Sequence, residues 1–256
     1  MSEFETLLVD ERPDRLAVTL NRPQTRNAIN LAMVGELHEV CAELERRPRP
    51  LLLAGAGDVF AAGADIAELL DRGRDEALQG INSRLFDRIA RLPMPTVAAV
   101  AGYALGGGAE LAYACDIRLA TPEAVFGNPE PALGIMAAAG ACWRLAELVG
   151  RSVAKQVLLG GRRLTAAEAE RFGLVAEVVP GPELTARAHA LLDRMAKSSP
   201  AALRLTKLVL DAPGAHPVAD DLAQAVLLES ADKRERMTAF LERGRSDRDG
   251  GAGRPS

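Results

Sequence analysis

The chain has 256 residues, and its 31 Lys and Arg against 35 Asp and Glu leave a formal charge of −4, which offers no field for holding nucleic acid. Hydrophobic residues make up 48% and aromatics only 4%, so a large core must be built mostly from Ala, Leu and Val. No basic start leads into an apolar run and no apolar stretch approaches ~20 residues, so neither a signal peptide nor a membrane span is expected. Cys41, Cys115 and Cys142 are too widely spaced to form a metal or redox pair, and a reduced, cytoplasmic setting fits them best.

In chain order, residues 4–10 and 15–20 read as two strands around a turn at Pro13-Asp14. Asn30 is placed to cap a helix in which Val34, Leu37, Cys41 and Leu44 recur at helical spacing, and Pro48 and Pro50 break it. Residues 51–54 are a buried strand. In the small-residue stretch that follows, Asp65 and Glu68 have the spacing of a capping box. A second helix then carries Leu78, Ile81, Leu85, Ile89 and Leu92 on one face. Residues 96–101 form a strand between Pro95 and Gly102, a short helix runs from about Gly107 to Ala114, and residues 117–120 and 124–126 are again strand-like. Strands alternating with helices argue for an α/β fold of stacked β-β-α or β-α-β units with right-handed crossovers.

Past Gly134 the pattern becomes almost wholly helical. Thr165 and Glu168 form a capping box, and Gly173 stands where that helix should end. From Pro182 the chain reads as three helices, the last spanning about 217–242, before a charged, Gly-rich tail at 244–256 that is expected to lack fixed structure.

Two carboxylates stand out: Glu110 in Gly106-Gly107-Gly108-Ala109-Glu110, and Glu130 in the Pro-flanked Phe126-Gly127-Asn128-Pro129-Glu130. They are too far apart to share one helix face, yet a strand and a turn between them can bring them together. Glycine inside a helix costs about 1 kcal/mol relative to Ala. What glycines offer at a helix start is bare backbone N–H, where the dipole favours developing negative charge. Facing carboxylates beside such groups suit the transfer of protons to and from water next to a polarised carbonyl.

Each feature also has a structural reading: a tight turn, a first-turn acid, a solvated loop acid. Together they point to an enzyme. His38, His189 and His216 lie outside these motifs, and the chain has no serine-nucleophile elbow, Walker lysine loop or metal-ligand spacing. Gly55 and Gly57 begin a dinucleotide fingerprint, but Phe60 stands in place of its third glycine. Neither a metal nor a redox cofactor is expected. Trp143, the one tryptophan, reads as a core or subunit contact.

The motifs, taken in order, resemble those of the crotonase, or enoyl-CoA hydratase/isomerase, superfamily. The matching pieces are Leu20-Asn21-Arg22-Pro23 with Asn27-Ala28-Ile29, then Phe60-Ala61-Ala62-Gly63-Ala64-Asp65-Ile66, then the run from Pro95 through Gly106-Gly107-Gly108-Ala109-Glu110 to Ala112. Cys115-Asp116, Phe126 to Glu130, Leu133-Gly134 and Gly173-Leu174-Val175 complete the set. The resemblance covers about residues 4–243. It implies a spiral of β-β-α units carrying the active site (1–195) and a C-terminal helical region (196–243) used to form a homotrimer or a dimer of trimers.

The resemblance further implies that the backbone N–H groups of Ala64 and Gly107 form an oxyanion hole for a thioester carbonyl, and that Glu110 and Glu130 are catalytic, provisionally as base and acid. Ala28, Ala62, Ala64, Asp65, Ile66, Ala67, Gly106, Gly107 and Ala138 become candidates for substrate binding. Coenzyme A enters as part of an acyl-CoA substrate of fatty-acid metabolism such as β-oxidation, with no separate cofactor and no nucleic-acid or membrane partner.

One departure is clear. Family hydratases follow Leu-Gly with a Pro-Gly-x-Gly-Gly-Thr run, whereas this chain has Ala137-Ala138-Ala139-Gly140-Ala141-Cys142, with Ala138 in place of a glycine that lines the water and acyl site. The expected activity is hydration of a trans-2-enoyl-CoA to a 3-hydroxyacyl-CoA. Its rivals are a 3-enoyl to 2-enoyl isomerase, which needs one carboxylate, and a silent CoA-thioester binder or RNA-binding relative. The paired acids speak against the silent binder, and the net negative charge against the RNA binder.

Overall fold

Leu7 faces Leu20 and Val9 faces Val18 across the first hairpin, and this apolar pairing fixes its register. The computed structural model, which describes residues 4–251, pairs β1 (Leu7–Arg12) antiparallel with β2 (Arg15–Leu20) around the expected turn. α1 (Leu31–Arg46) starts where the Asn30 side chain accepts from the Met33 N–H at 3.0 Å, and it buries Val34, Leu37, Cys41 and Leu44. β3 (Leu51–Gly55) then runs parallel to β2.

A short α2 (Ile66–Leu70) follows Asp65, and the stretch from Leu78 to Leu92 expected as one second helix is divided between α3 (Arg74–Gln79) and α4 (Ile81–Ala90). Gly80, at φ 63° and ψ 43°, ends α3 in the left-handed region, so Leu78 is left exposed while Leu85, Phe86 and Ile89 on α4 are buried. Asp65 caps α2 through the Ala67 N–H at 3.2 Å, but Glu68 does not close the box. Its carboxylate accepts from the Leu31 N–H at 2.8 Å and ties α2 to the start of α1.

β4 (Thr96–Val100), β5 (Tyr103–Leu105), α5 (Gly107–Ala114), β6 (Ile117–Ala120) and β7 (Val125–Gly127) follow. After them come α6 (Ala141–Leu158), β8 (Leu164–Thr165), α7 (Ala166–Arg171), β9 (Glu177–Val178) and α8 (Leu184–Ala196). The reciprocal box expected at α7 is present, with Thr165 Oγ1 accepting from the Glu168 N–H at 3.3 Å and Glu168 accepting from the Thr165 N–H at 3.0 Å.

Two sheets result. The larger has the order β1-β2-β3-β4-β6-β9 and is parallel from β2 onward; the smaller has the order β5-β7-β8. The polypeptide thus passes from one sheet to the other between β4 and β5 and again between β6 and β7. Phe60, Phe86 and Phe126 are the bulkiest fully buried side chains of a core otherwise dominated by Leu, Val and Ala.

The chain divides into two compact units at Arg194/Met195. In the second unit, Ser199 caps α9 (Pro200–Leu210) through the Ala202 N–H at 3.3 Å. The single helix expected over 217–242 is interrupted at Ser230, whose Oγ accepts from the Lys233 N–H at 3.2 Å. α10 (Val218–Leu228) and α11 (Ala231–Gly251) lie on either side of it. α11 runs to Gly251, into the stretch expected to lack fixed structure; residues 252–256 lie outside the described residues. Leu222, Val226, Phe240 and Leu241 are exposed on these helices. Among the described residues, no helix is long and apolar enough to cross a membrane.

Candidate active site

The loop after β3 is laid along β5 by backbone bonds: the Ala61 N–H donates to Tyr103 O at 3.0 Å, and the Leu105 N–H to Ala61 O at 3.1 Å. On its other side the Ile29 N–H donates to Gly63 O at 2.8 Å, and Ile29 O accepts from the Asp65 N–H at 2.9 Å. Between these bonds the Ala64 N–H is left with no backbone acceptor among the described residues. Gly107 opens α5, where an N–H has no intrahelical partner.

The two groups converge on one small space. A Cβ built on Gly107 would stand 3.4 Å from Ala64 N, so the Ala64 N–H lies beside the start of α5 and the positive end of its dipole. The neighbouring glycines do different work. Gly106 takes φ 51° and ψ −128°, a conformation essentially reserved for glycine. Gly108 lies so close to the loop that a Cβ would stand 2.2 Å from Ala61 O.

Glu110 sits one turn further along α5 and is only 3% exposed. Its Oε1 accepts from the Ala139 N–H at 2.8 Å and the Ala141 N–H at 3.1 Å, both on the chain entering α6. Burial pushes its carboxyl up to about 7. The charge of Glu130 adds to the rise, while the two N–H groups and the Arg144 guanidinium oppose it. Glu130 is 8% exposed and stands on a single helical turn after β7, where the Asn128 side chain donates to its Oε1 at 3.3 Å. Asn128 in turn accepts from the Tyr113 hydroxyl at 3.3 Å. Burial raises the Glu130 carboxyl as well, and its Oε2 has no hydrogen-bond partner among the described residues.

These groups share a cavity of about 980 Å³. Of the residues singled out in the sequence, Ala62, Ala64, Ile66, Gly106, Gly107, Glu110, Glu130 and Ala138 line it. Ala28, Asp65 and Ala67 stand outside that wall. Arg22 links two of them, pairing with Asp65 at 3.0 Å and donating to Ala28 O at 2.7 Å, and so braces the loop that presents the Ala64 N–H. Ala138 faces the cavity, and its neighbour Ala139 contributes a backbone N–H to Glu110.

Sequence reasoning missed the N–H groups of Ala139 and Ala141, which no side-chain pattern reveals. It also missed the Tyr113–Asn128–Glu130 relay, and Asn82 and Arg72 in the cavity wall. Asn82 did carry a signal: it shares a helix face with Leu85, Phe86 and Ile89 and is the polar member of that stripe.

Comparison with known proteins identifies the family. The chain matches the enoyl-CoA hydratase/isomerase family over residues 15–249. It is 38% identical over 248 residues to a probable enoyl-CoA hydratase of Mycobacterium bovis, an alignment covering 94% of this chain and 96% of that protein. A short-chain-enoyl-CoA hydratase of Clostridium acetobutylicum is 35% identical over 257 residues, with 94% and 96% covered. The crystal structure of an enoyl-CoA hydratase from Bacillus anthracis aligns with a TM-score of 0.89 at 32% identity, covering 93% of this chain and 97% of that one. With sequence and fold agreeing along almost its whole length, the chain has the crotonase fold and belongs to the enoyl-CoA hydratase/isomerase family.

Proposed function

We propose that the protein hydrates a trans-2-enoyl-CoA to the corresponding 3-hydroxyacyl-CoA. The observation that carries this reading is the pair of buried carboxylates, Glu110 and Glu130, facing one cavity beside the Ala64 and Gly107 N–H groups. Those N–H groups take the thioester oxygen and draw electrons from the conjugated double bond, which leaves C3 electrophilic. Water attacks C3 and gives its proton to Glu110, while C2 of the resulting enolate takes a proton from Glu130. The pair ends with its proton on Glu110, and the proton returns to Glu130 before the next turnover.

Hydrogen bonding supports this division of labour. Two N–H donors favour the charged form of Glu110, whereas Glu130 Oε2 has no donor among the described residues and suits a protonated carboxyl. The two carboxyls titrate as a coupled pair. An isomerase needs only one of them. The mechanism calls on no cofactor, since coenzyme A is part of the substrate.

Loss of the enoyl absorbance across a panel of 2-enoyl-CoAs should report hydration. kcat/KM should fall as the pH drops through about 7, because Glu110 then takes up the proton that disables it as a base. Double-bond migration in a 3-enoyl-CoA without hydration of any 2-enoyl-CoA would hand the site to the isomerase reading.

The exposed apolar side chains of α10 and α11 support assembly into a homotrimer or a dimer of trimers. Light scattering on the purified protein should give a mass three or six times that of the 27.1 kDa chain. A monomer at micromolar concentration would defeat that part of the proposal.

A further inference from the structure

α5 carries two polar-tipped side chains, Glu110 and Tyr113, three residues apart and so on one face of a helix otherwise made of glycine, alanine and leucine. The first is the proposed base. The second is buried, and its hydroxyl donates to Asn128 Oδ1 at 3.3 Å. Asn128, also buried, donates from Nδ2 to Glu130 Oε1 at 3.3 Å and is the only side chain among the described residues that hydrogen-bonds to that carboxyl. Neither Tyr113 nor Asn128 lines the cavity. A phenylalanine would fill the Tyr113 site with no hydroxyl to satisfy, so the bond to Asn128 is what the tyrosine adds.

An amide has a donor end and an acceptor end, and which of them meets Glu130 depends on what the other end meets. With Tyr113 donating to Oδ1, the Nδ2 end must face the carboxyl. Turned over, the amide would present an acceptor to an anion, and the buried Tyr113 proton would have no acceptor among the described residues. The hydroxyl keeps that proton at every working pH. Burial and the charges of Glu110 and Glu130 push it far up, against the opposing charge of Arg118 on β6. We propose that Tyr113 is a positioning residue for hydration, fixing the aim of the Glu130 carboxyl through the Asn128 amide. α5 then sets both carboxyls, Glu110 as its own side chain and Glu130 at one remove. The proposal rests on Glu130 being the acid that protonates C2.

The pH profile of hydration, taken with the 2-enoyl-CoA of the panel that turns over fastest, tests it. On the basic side kcat/KM falls as Glu130 gives up its proton; Glu110 and Tyr113 on α5 and Cys142 on α6 are the titratable groups that feel its charge. Tyr113→Phe keeps the ring and releases the amide. Loss of the Nδ2 donor, or an Oδ1 turned toward the carboxyl, favours the neutral form of Glu130. The basic limb should therefore move up by about 0.5–1 pH unit, the scale of one hydrogen bond. kcat should fall by ~10-fold as the carboxyl loses its aim, with KM and melting temperature little changed. Asn128→Ala should reproduce both effects, and adding Tyr113→Phe to it should change neither further. A purely structural tyrosine would lower stability and leave the limb in place. An unmoved basic limb in Tyr113→Phe overturns the proposal, as does a further shift when Tyr113→Phe is added to Asn128→Ala. Full hydration by Glu130→Gln would instead overturn the choice of acid, and the proposal with it.

Discussion

Glu110→Gln and Glu130→Gln should each lower kcat for hydration by at least ~10²-fold, the scale of a positioned acid or base. At Glu110 the replacement keeps an amide oxygen able to accept from Ala139 and Ala141, so the loss is one of proton transfer rather than of position. Because the two groups act on one event, the double variant should lose far less than the product of the single losses. Near-normal hydration in either single variant removes that residue from the mechanism.

The same substitution has a second signature, in stability. The Glu110 carboxyl titrates at about 7 when folded, against 4.5 for a free glutamate, so folding favours its neutral form. Its contribution is fully present below pH 4.5 and is lost as the pH rises through about 7. Glu110→Gln is neutral throughout and escapes that loss, on the order of 1–3 kcal/mol. The variant should therefore melt close to the unaltered protein at acid pH and several degrees above it at pH 8. A less active, more stable protein at pH 8 is the expected pairing. Equal melting temperatures at both pH values would show that the carboxyl is not strained by burial.

Gly107→Ala should lower kcat/KM by ~10²–10³-fold, the cost of about 2.7–4 kcal/mol for losing one oxyanion donor's aim. The atoms nearest the added methyl are Ala64 N at 3.4 Å, Asn82 Nδ2 at 3.5 Å and Gly63 C at 3.9 Å, ordinary contact distances, so the fold accommodates it. On the proposed mechanism the methyl crowds the approach of the thioester oxygen to the two N–H groups. Gly108→Ala is the control one residue along: its methyl would lie 2.2 Å from Ala61 O, and stability should drop by about 1–3 kcal/mol or more. Activity per folded molecule, measured beside denaturant unfolding, separates the two. If Gly107→Ala instead lost stability and kept its activity per folded molecule, the oxyanion role of Gly107 would be wrong.

The helix bounds of α5, the Asn30 cap and the Thr165/Glu168 box were legible in the sequence because each depends on neighbours a few residues apart. The break at Gly80 was not, because the apolar spacing from Leu78 to Leu92 runs across a glycine whose left-handed conformation the spacing does not record. Glu68 was misread for a related reason: its partner, the Leu31 N–H, lies on another helix, and a tertiary bond displaced the local one. The strands of two residues each, β8 and β9, are too short to show any alternation. At the site, the side chains could be named from their motifs, but the backbone groups that orient Glu110 come from the distant loop entering α6.

That last arrangement bears on how this site changes over generations. Glu110 is gripped by main-chain amides of Ala139 and Ala141, and a main-chain amide is the same whichever side chain hangs from it, proline excepted. The segment can therefore exchange Pro-Gly-x-Gly-Gly-Thr for Ala137-Ala138-Ala139-Gly140-Ala141-Cys142 and still present the same grip. Side-chain drift there is free to reshape the cavity wall, as at Ala138, without a compensating change at Glu110. The shape of the cavity wall and the hold on Glu110 are thereby uncoupled within a few consecutive residues, and selection can act on the first while leaving the second untouched.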